Sequence, residues 1–200
     1  MKKSIGCAAA VALMFGFSTA HAAWRVDNSA STFNFVTTKA VTPGVAGIVE
    51  VQKFQQVEGT VGDDGKLEFD VDLGSVETNI PLRNERVKEI LFKVADNPKA
   101  VFAGTVDANR FKAMRVGAFA DVDVSGQLTI DGQSNPLTAH LRVVKLQPGA
   151  LQASTSAPIV VNLKEYGLQD GVEALRTLMK LDVLSSSAPV TFSVVLKSEK

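Results

Sequence analysis

The sequence predicts an all-β fold of mostly antiparallel strands, and three observations carry that reading. Within Val122–Leu141, Val122, Val124, Leu128 and Ile130 share one parity, while Asp121, Asp123, Gln127, Thr129 and Asp131 share the other. That period of two belongs to a strand with one apolar and one wet face. The same alternation recurs along the chain, most cleanly where Leu67, Phe69, Val71 and Leu73 oppose Glu68, Asp70 and Asp72. Only two stretches carry helical spacing, too few for the crossovers that parallel strands require. About eight such strands either stack as a sandwich or close into a barrel around side chains or one small ligand.

Taken in order, Met1–Ala22 has the form of a cleavable export leader. Lys2 and Lys3 precede the apolar run Ala8–Phe17, and Ala20-His21-Ala22 supplies an A-x-A cleavage site. The run is shorter than the roughly 20 residues that cross a bilayer, so cleavage after Ala22 and export to the periplasm are expected rather than an anchor. The expected mature domain, 23–200, opens with Trp24–Asp27, a turn at Asn28–Ser31, and a strand over Thr32–Thr38 with Phe33 and Phe35 on one face. Pro43, Gly44 and Gly47 loosen Val41–Gly47 before a long extended segment, Ile48–Val61. Asp63-Asp64-Gly65 turns it into Leu67–Leu73.

The period then changes. Leu82, Val87, Ile90, Leu91 and Val94 recur at three and four residues within Pro81–Val94, predicting a short helix capped at Asn79 or Asn84 and stopped by Asn97-Pro98. Ala100–Ala108, including Val101, returns to strand, and Phe111–Ala118 is a basic, glycine-containing connection. The hairpin around Asp131-Gly132 follows, with Leu137, Leu141 and Val143 on one parity and His140 and Arg142 on the other. Its five polar residues up to Pro136 predict a loop longer than a two-residue turn. Gln147-Pro148-Gly149 turns the chain, and Ile159–Leu163 is a further strand. Val172, Leu175, Leu178 and Met179 predict a second helix over Asp170–Leu181. After a loop at Ser185–Ala188, Pro189–Leu196 closes the chain with Val190, Phe192, Val194 and Leu196 on one parity.

Composition narrows the functions. The 200 residues carry 21 Lys+Arg and 21 Asp+Glu; without the leader, 178 residues remain, with 19 basic against 21 acidic side chains, no cysteine and His140 as the single histidine. No basic surplus supports nucleic-acid binding, and neither a second long apolar run nor a Lys/Arg cluster points to a stable membrane span or a membrane surface. A metal site is not expected, because His140 has no second histidine or cysteine to share an ion with. Asp70 with Asp72 and Asp121 with Asp123 read as outward charged rows, which also discourage edge pairing. No G-x-S-x-G elbow accompanies the serines.

Several motifs, in this order and spacing, resemble the YceI family of exported, lipocalin-like barrels over essentially the whole chain after the leader. They are Trp24-x-x-Asp27 with Ser31 and Phe33-x-Phe35, then Leu73–Thr78 (LGSVET) with Leu82-Arg83-Asn84. Leu91-Phe92, Asn97-Pro98 and Val101-Phe102 follow. The most specific piece is Gly126–Gly132 (GQLTIDG) with Pro136-Leu137-Thr138. The resemblance implies an eight-stranded antiparallel barrel with two short helical insertions, whose apolar lumen holds a polyisoprenoid or quinone tail; other members take fatty-acid-like ligands. It also implies a homodimer. This chain departs from the family in having Ala30-Ser31 where His-Ser is common, Thr37 and Thr38 near a frequent second histidine, and Arg83-Asn84 where Arg-Asp is common.

The expected lumen therefore takes Phe33 and Phe35, Phe69, Val71 and Leu73, Val101, then Val122, Val124, Leu128 and Ile130. Leu141 and Val143, with Phe192 and Val194, complete it. Read from parity alone, the same residues also suit a solidly filled core. Arg83 and Arg86 are candidates for meeting a headgroup, against ordinary solvation beside Glu85 and Glu89. The expected function is a periplasmic carrier of a long apolar lipid, without catalysis or cofactor. A non-enzymatic interaction or stress protein with a plugged barrel is the alternative.

Overall fold

The computed structural model describes residues 22–44 and 47–199. Apart from Ala22, the expected leader lies outside them. Twelve strands form one sheet: β1 (Ala22–Ala40), β2 (Ile48–Phe54), β3 (Val57–Gly62), β4 (Lys66–Asp72) and β5 (Val76–Glu77) precede helix α1 (Pro81–Arg86). There follow β6 (Lys99–Thr105), helix α2 (Ala108–Ala113), β7 (Phe119–Ile130), β8 (Gln133–Gln147), β9 (Ala150–Thr155) and β10 (Ile159–Asn162). Helix α3 (Gln169–Leu178), β11 (Val183–Leu184) and β12 (Ser187–Ser198) complete the chain. The pairing β1-β3-β4-β6-β7-β8-β9-β12 returns to β1, antiparallel throughout. Those eight strands make a closed barrel, with no free edge around the ring, and the sandwich is excluded. Strands β2, β5, β10 and β11 extend it at the end where β1 finishes.

The β7–β8 hairpin is tighter than its polar content predicts. Asp131 and Gly132 alone form the turn, at φ of 49° and 72°, the left-handed pair that matches strand twist in a two-residue hairpin. Gln133–Pro136 are paired strand, with Pro136 opposite Gln127. The expected turn at Asn28–Ser31 is a bulge inside one continuous strand, because the β1–β12 register shifts between Asp27 and Thr32. Asn28 satisfies the displaced backbone by accepting from Val57 N at 2.8 Å and donating to Gln55 O at 3.0 Å. The segment expected to run unbroken over Ile48–Val61 is interrupted beside that bulge, at Gln55-Gln56, where Ser75 Oγ accepts from both backbone amides.

Among the described residues the barrel carries three α-helices rather than two. The missed one, α2, begins where the Asp107 side chain accepts from Asn109 N and Arg110 N, the ordinary N-cap arrangement. Helix α1 continues as one π-helical stretch, Val87–Phe92. Neither asparagine caps it by the expected route: Ile80 holds the N-cap position. Asn84 is buried and reaches back, its Oδ1 accepting from Thr78 N at 2.8 Å and Thr78 Oγ1 at 2.5 Å. Helix α3 packs against the π stretch at Gly171, where a Cβ would stand 2.9 Å from Ile90 O and 3.0 Å from Leu91 Cα. Strand β9, left unassigned by the sequence reading, closes the ring between β8 and β12. No helix among the described residues is long and apolar enough to cross a membrane.

Candidate functional site

Alternation along the eight strands points one face of each into the barrel, and the inward faces do not meet. They enclose a cavity of about 290 Å³, against the roughly 10–15 Å³ one water occupies. A plugged barrel does not describe this interior. On β1 and β4, Phe33, Phe35, Phe69 and Val71 line it, with Leu73 just beyond β4. From β7 come Val122, Val124, Leu128 and Ile130, from β8 Leu141 and Val143, and from β12 Phe192 and Val194. Val101 does not join them. Strand β6 is apolar on both parities, so hydrophobicity does not choose its face, and Ala100 and Phe102 are the inward pair.

Phenylalanine is concentrated in the wall, among valine and leucine. Eleven occur in the sequence, two of them, Phe15 and Phe17, before Ala22. Of the other nine, all but Phe119 line the cavity. Phe33 sits at the hub, its ring 6.0 Å from those of Phe54 and Phe69 and 5.9 Å from Phe192. Phe54 carries the contact on to Phe35 at 5.0 Å and Phe92 at 6.0 Å. These offset and edge contacts fix the rings to one another and present only carbon to the space they surround. Leu91 and Phe92 of the π stretch, with Val172 and Leu175 of α3 and Met179 just after it, form a helical side to it. At the end where β1 begins, the lining is Trp24, Phe111, Val143 and Leu151, all buried. Trp24 Nε1 is buried there with no hydrogen-bond partner among the described residues.

The opposite end is polar. Lys39 and Glu50 both project inward, diagonal neighbours across the β1–β2 pairing in which Lys39 faces Ile48 and Thr37 faces Glu50. Lys39 Nζ lies 2.7 Å from Glu50 Oε2. Arg83 reaches in from α1, its Nη1 2.9 Å and 3.1 Å from the two Glu50 oxygens and its Nη2 donating to Thr78 O at 2.5 Å. The Lys39 ammonium, then the Arg83 guanidinium, hold the Glu50 carboxyl below its ordinary value against the opposing effect of burial. Arg83 Nε is buried without a partner among the described residues. Gln52, buried beside them, donates from Nε2 to Thr37 Oγ1 at 3.0 Å. Arg86, at the end of α1 between the inward-facing Arg83 and Val87, does not line the cavity.

Lys39, Glu50 and Gln52 are not among the residues expected at the site, although their parity places them there. Thr37 and Lys39 continue the parity of Phe33 and Phe35, and Glu50 and Gln52 share that of Phe54. The polar residues that were weighed stand elsewhere. His140 lies on the outer wall with Nδ1 2.6 Å from Asp123 Oδ1, and Asp121 forms a two-pronged pair with Arg142 at 2.8 and 2.9 Å. Asp70 binds Lys99 Nζ at 2.9 Å, and Asp72 caps the turn after β4. Among the described residues, no group of three or more His, Cys, Asp or Glu is placed to hold a metal.

Comparison with known proteins agrees with this geometry. A family model described as a YceI-like domain matches residues 24–196. A solved polyisoprenoid-binding domain from Saccharophagus degradans, implicated in plant cell wall breakdown, is 30% identical, with a TM-score of 0.84 over 90% of this chain and all of that one. BcnA of Burkholderia cenocepacia, at 16% identity and a TM-score of 0.64 over 85% of this chain and 98% of its own, shares the fold. No curated protein matches the sequence.

Proposed function

The chain belongs to the YceI-like family, and from that premise we propose that it is an exported, periplasmic carrier of a long apolar lipid, an isoprenoid or quinone tail, with no chemistry of its own. The observation that carries the reading is the unfilled, phenylalanine-walled cavity. The Saccharophagus domain is described as binding polyisoprenoid, and its 30% identity over its whole length supports the same class of cargo here. Localisation rests on the leader-like Met1–Ala22.

A hydrocarbon wall sets what the cargo must look like. Burial contributes about 0.8 kcal/mol per methylene, while association and ordering cost on the order of 4–15 kcal/mol. A tail of only a few carbons does not overcome that loss, whereas one of roughly twenty does. Methyl branches fit between phenylalanine rings without needing a hydrogen-bond partner, and the wall offers almost none. The absence of chemistry rests on the outward placement of His140, which is turned away from the cavity and engaged by Asp123.

The reading is tested by titrating purified, delipidated protein with isoprenols of increasing length and following Trp24, the only tryptophan, by fluorescence. Affinity is expected to rise steadily from geraniol to geranylgeraniol. Binding that is absent, or indifferent to chain length, contradicts the carrier.

A further inference from the structure

Counting donors and acceptors at the polar end of the cavity leaves a surplus on one side. Lys39 brings three N–H donors and Arg83 five. Glu50 takes one contact from Lys39 and two from Arg83 Nη1, and Thr78 O takes one from Arg83 Nη2. Arg83 Nε is buried and unspent. The formal charge of the triad is two cations against one carboxylate, and the lysine and arginine side chains are only 17% and 11% exposed. Of these donors Arg83 Nε is out of reach of water, and a buried donor without an acceptor is unfavourable. Gln52 Nε2 is already committed to Thr37. At the far end, Trp24 offers one neutral N–H and no charge.

We propose that Lys39, steered by Glu50 and flanked by Arg83, is a specificity-determining residue that selects lipids with an anionic oxygen head, phosphate or carboxylate, over neutral ones carrying the same tail. The inference rests on the carrier reading and adds a head to its tail. Glu50 holds the two cations apart and pointed at the cavity, and it leaves one positive charge for the ligand to neutralise. In a site this sheltered, a hydrogen bond to a charged group is stronger than a neutral one.

The test compares geranylgeranyl phosphate, geranylgeraniol and palmitate by competition against one fluorescent lipid, using the mature protein and its Lys39→Met and Lys39→Arg variants. Wild type is expected to favour the phosphate over the alcohol by about tenfold or more. Lys39→Met is expected to abolish that preference, the phosphate losing affinity relative to the alcohol, and Lys39→Arg to keep it. Palmitate competing as well as the phosphate extends the site to carboxylates; palmitate failing while the phosphate succeeds confines it to phosphates, and both outcomes support an anionic head. Equal affinity of wild type for phosphate and alcohol, or a preference that survives in Lys39→Met, overturns the proposal. Failure of all three probes to bind overturns the carrier reading instead.

Discussion

Asp121 and Glu50 are both strand carboxylates, both paired with an arginine, and both held below their ordinary pKa, Asp121 by Arg142 and Glu50 by Lys39 first and Arg83 after it. They do different work. Asp121 stands on the outer wall and meets Arg142, whose guanidinium also lies 4.6 Å from the Phe119 ring centre. Each charge there has one opposite charge and open water, so removing either leaves nothing stranded. Glu50 stands at the polar end of the cavity between Lys39 and Arg83, so removing it leaves two cations facing each other. The same pairing chemistry is spare on one wall and organising at the other because of what surrounds it.

The difference is broken most forcefully on β7, where neighbours face opposite ways. Val124→Asp puts a carboxylate without a partner against the phenylalanine wall and is expected to destabilise the fold by more than about 3 kcal/mol. Asp123→Ala, one residue away, is expected to leave urea unfolding unchanged. Comparable losses from both substitutions would mean that the barrel wall is not divided into a dry and a wet face.

Next in size is the anchor behind the polar end of the cavity. Asn84→Ala deprives the buried Thr78 N–H of its acceptor and frees the turn that presents Arg83. A loss of about 2 kcal/mol is expected, together with weaker binding of whatever the polar end selects. A stability loss with unchanged binding would separate α1 from the site.

Smaller again is the response to acid. Folding lowers the pKa of Glu50, chiefly through the Lys39 ammonium, so this carboxylate stabilises the protein at neutral pH. That contribution disappears as the pH falls through the lowered value. Glu50→Gln is accordingly expected to lower Tm by several degrees at pH 7 and to converge with wild type at the acid end of the profile. Asp27, held at about 2 chiefly by the Lys197 ammonium and then by Ser29, supplies a second decline near that pH in both proteins. Asp121→Asn is expected to leave Tm at pH 7 where it is. A gap between Glu50→Gln and wild type that widens in acid would contradict the assigned pairing.

Much of this architecture is legible in the sequence because a barrel wall has only two faces, and strict alternation names both. Phe69 and Val71, or Val122 and Val124, need no coordinates to be assigned together. Alternation fails where both parities are apolar, as at Ala100–Phe102. It fails too where the strand is built of small residues, as at Ala150–Thr155, whose Leu151 and Ala153 give too weak a contrast. The two-residue turn at Asp131-Gly132 was hidden by polar neighbours that pair as strand, since polarity records solvent contact and not chain direction. The polar end was hidden for another reason. Lys39 and Glu50 on their own resemble surface charges, and only the reach of Arg83 from a helix more than thirty residues later gathers them into one site.

The central claim is that the barrel keeps its interior for a guest. It is tested most directly by extracting protein purified from its native compartment with organic solvent and identifying what is released by mass spectrometry. A long-chain isoprenoid lipid is expected in near-stoichiometric amount, recovered far less from a Val124→Phe variant whose lumen is narrowed. Protein that yields no lipid, and takes none up when incubated with polyprenol or quinone, would contradict it.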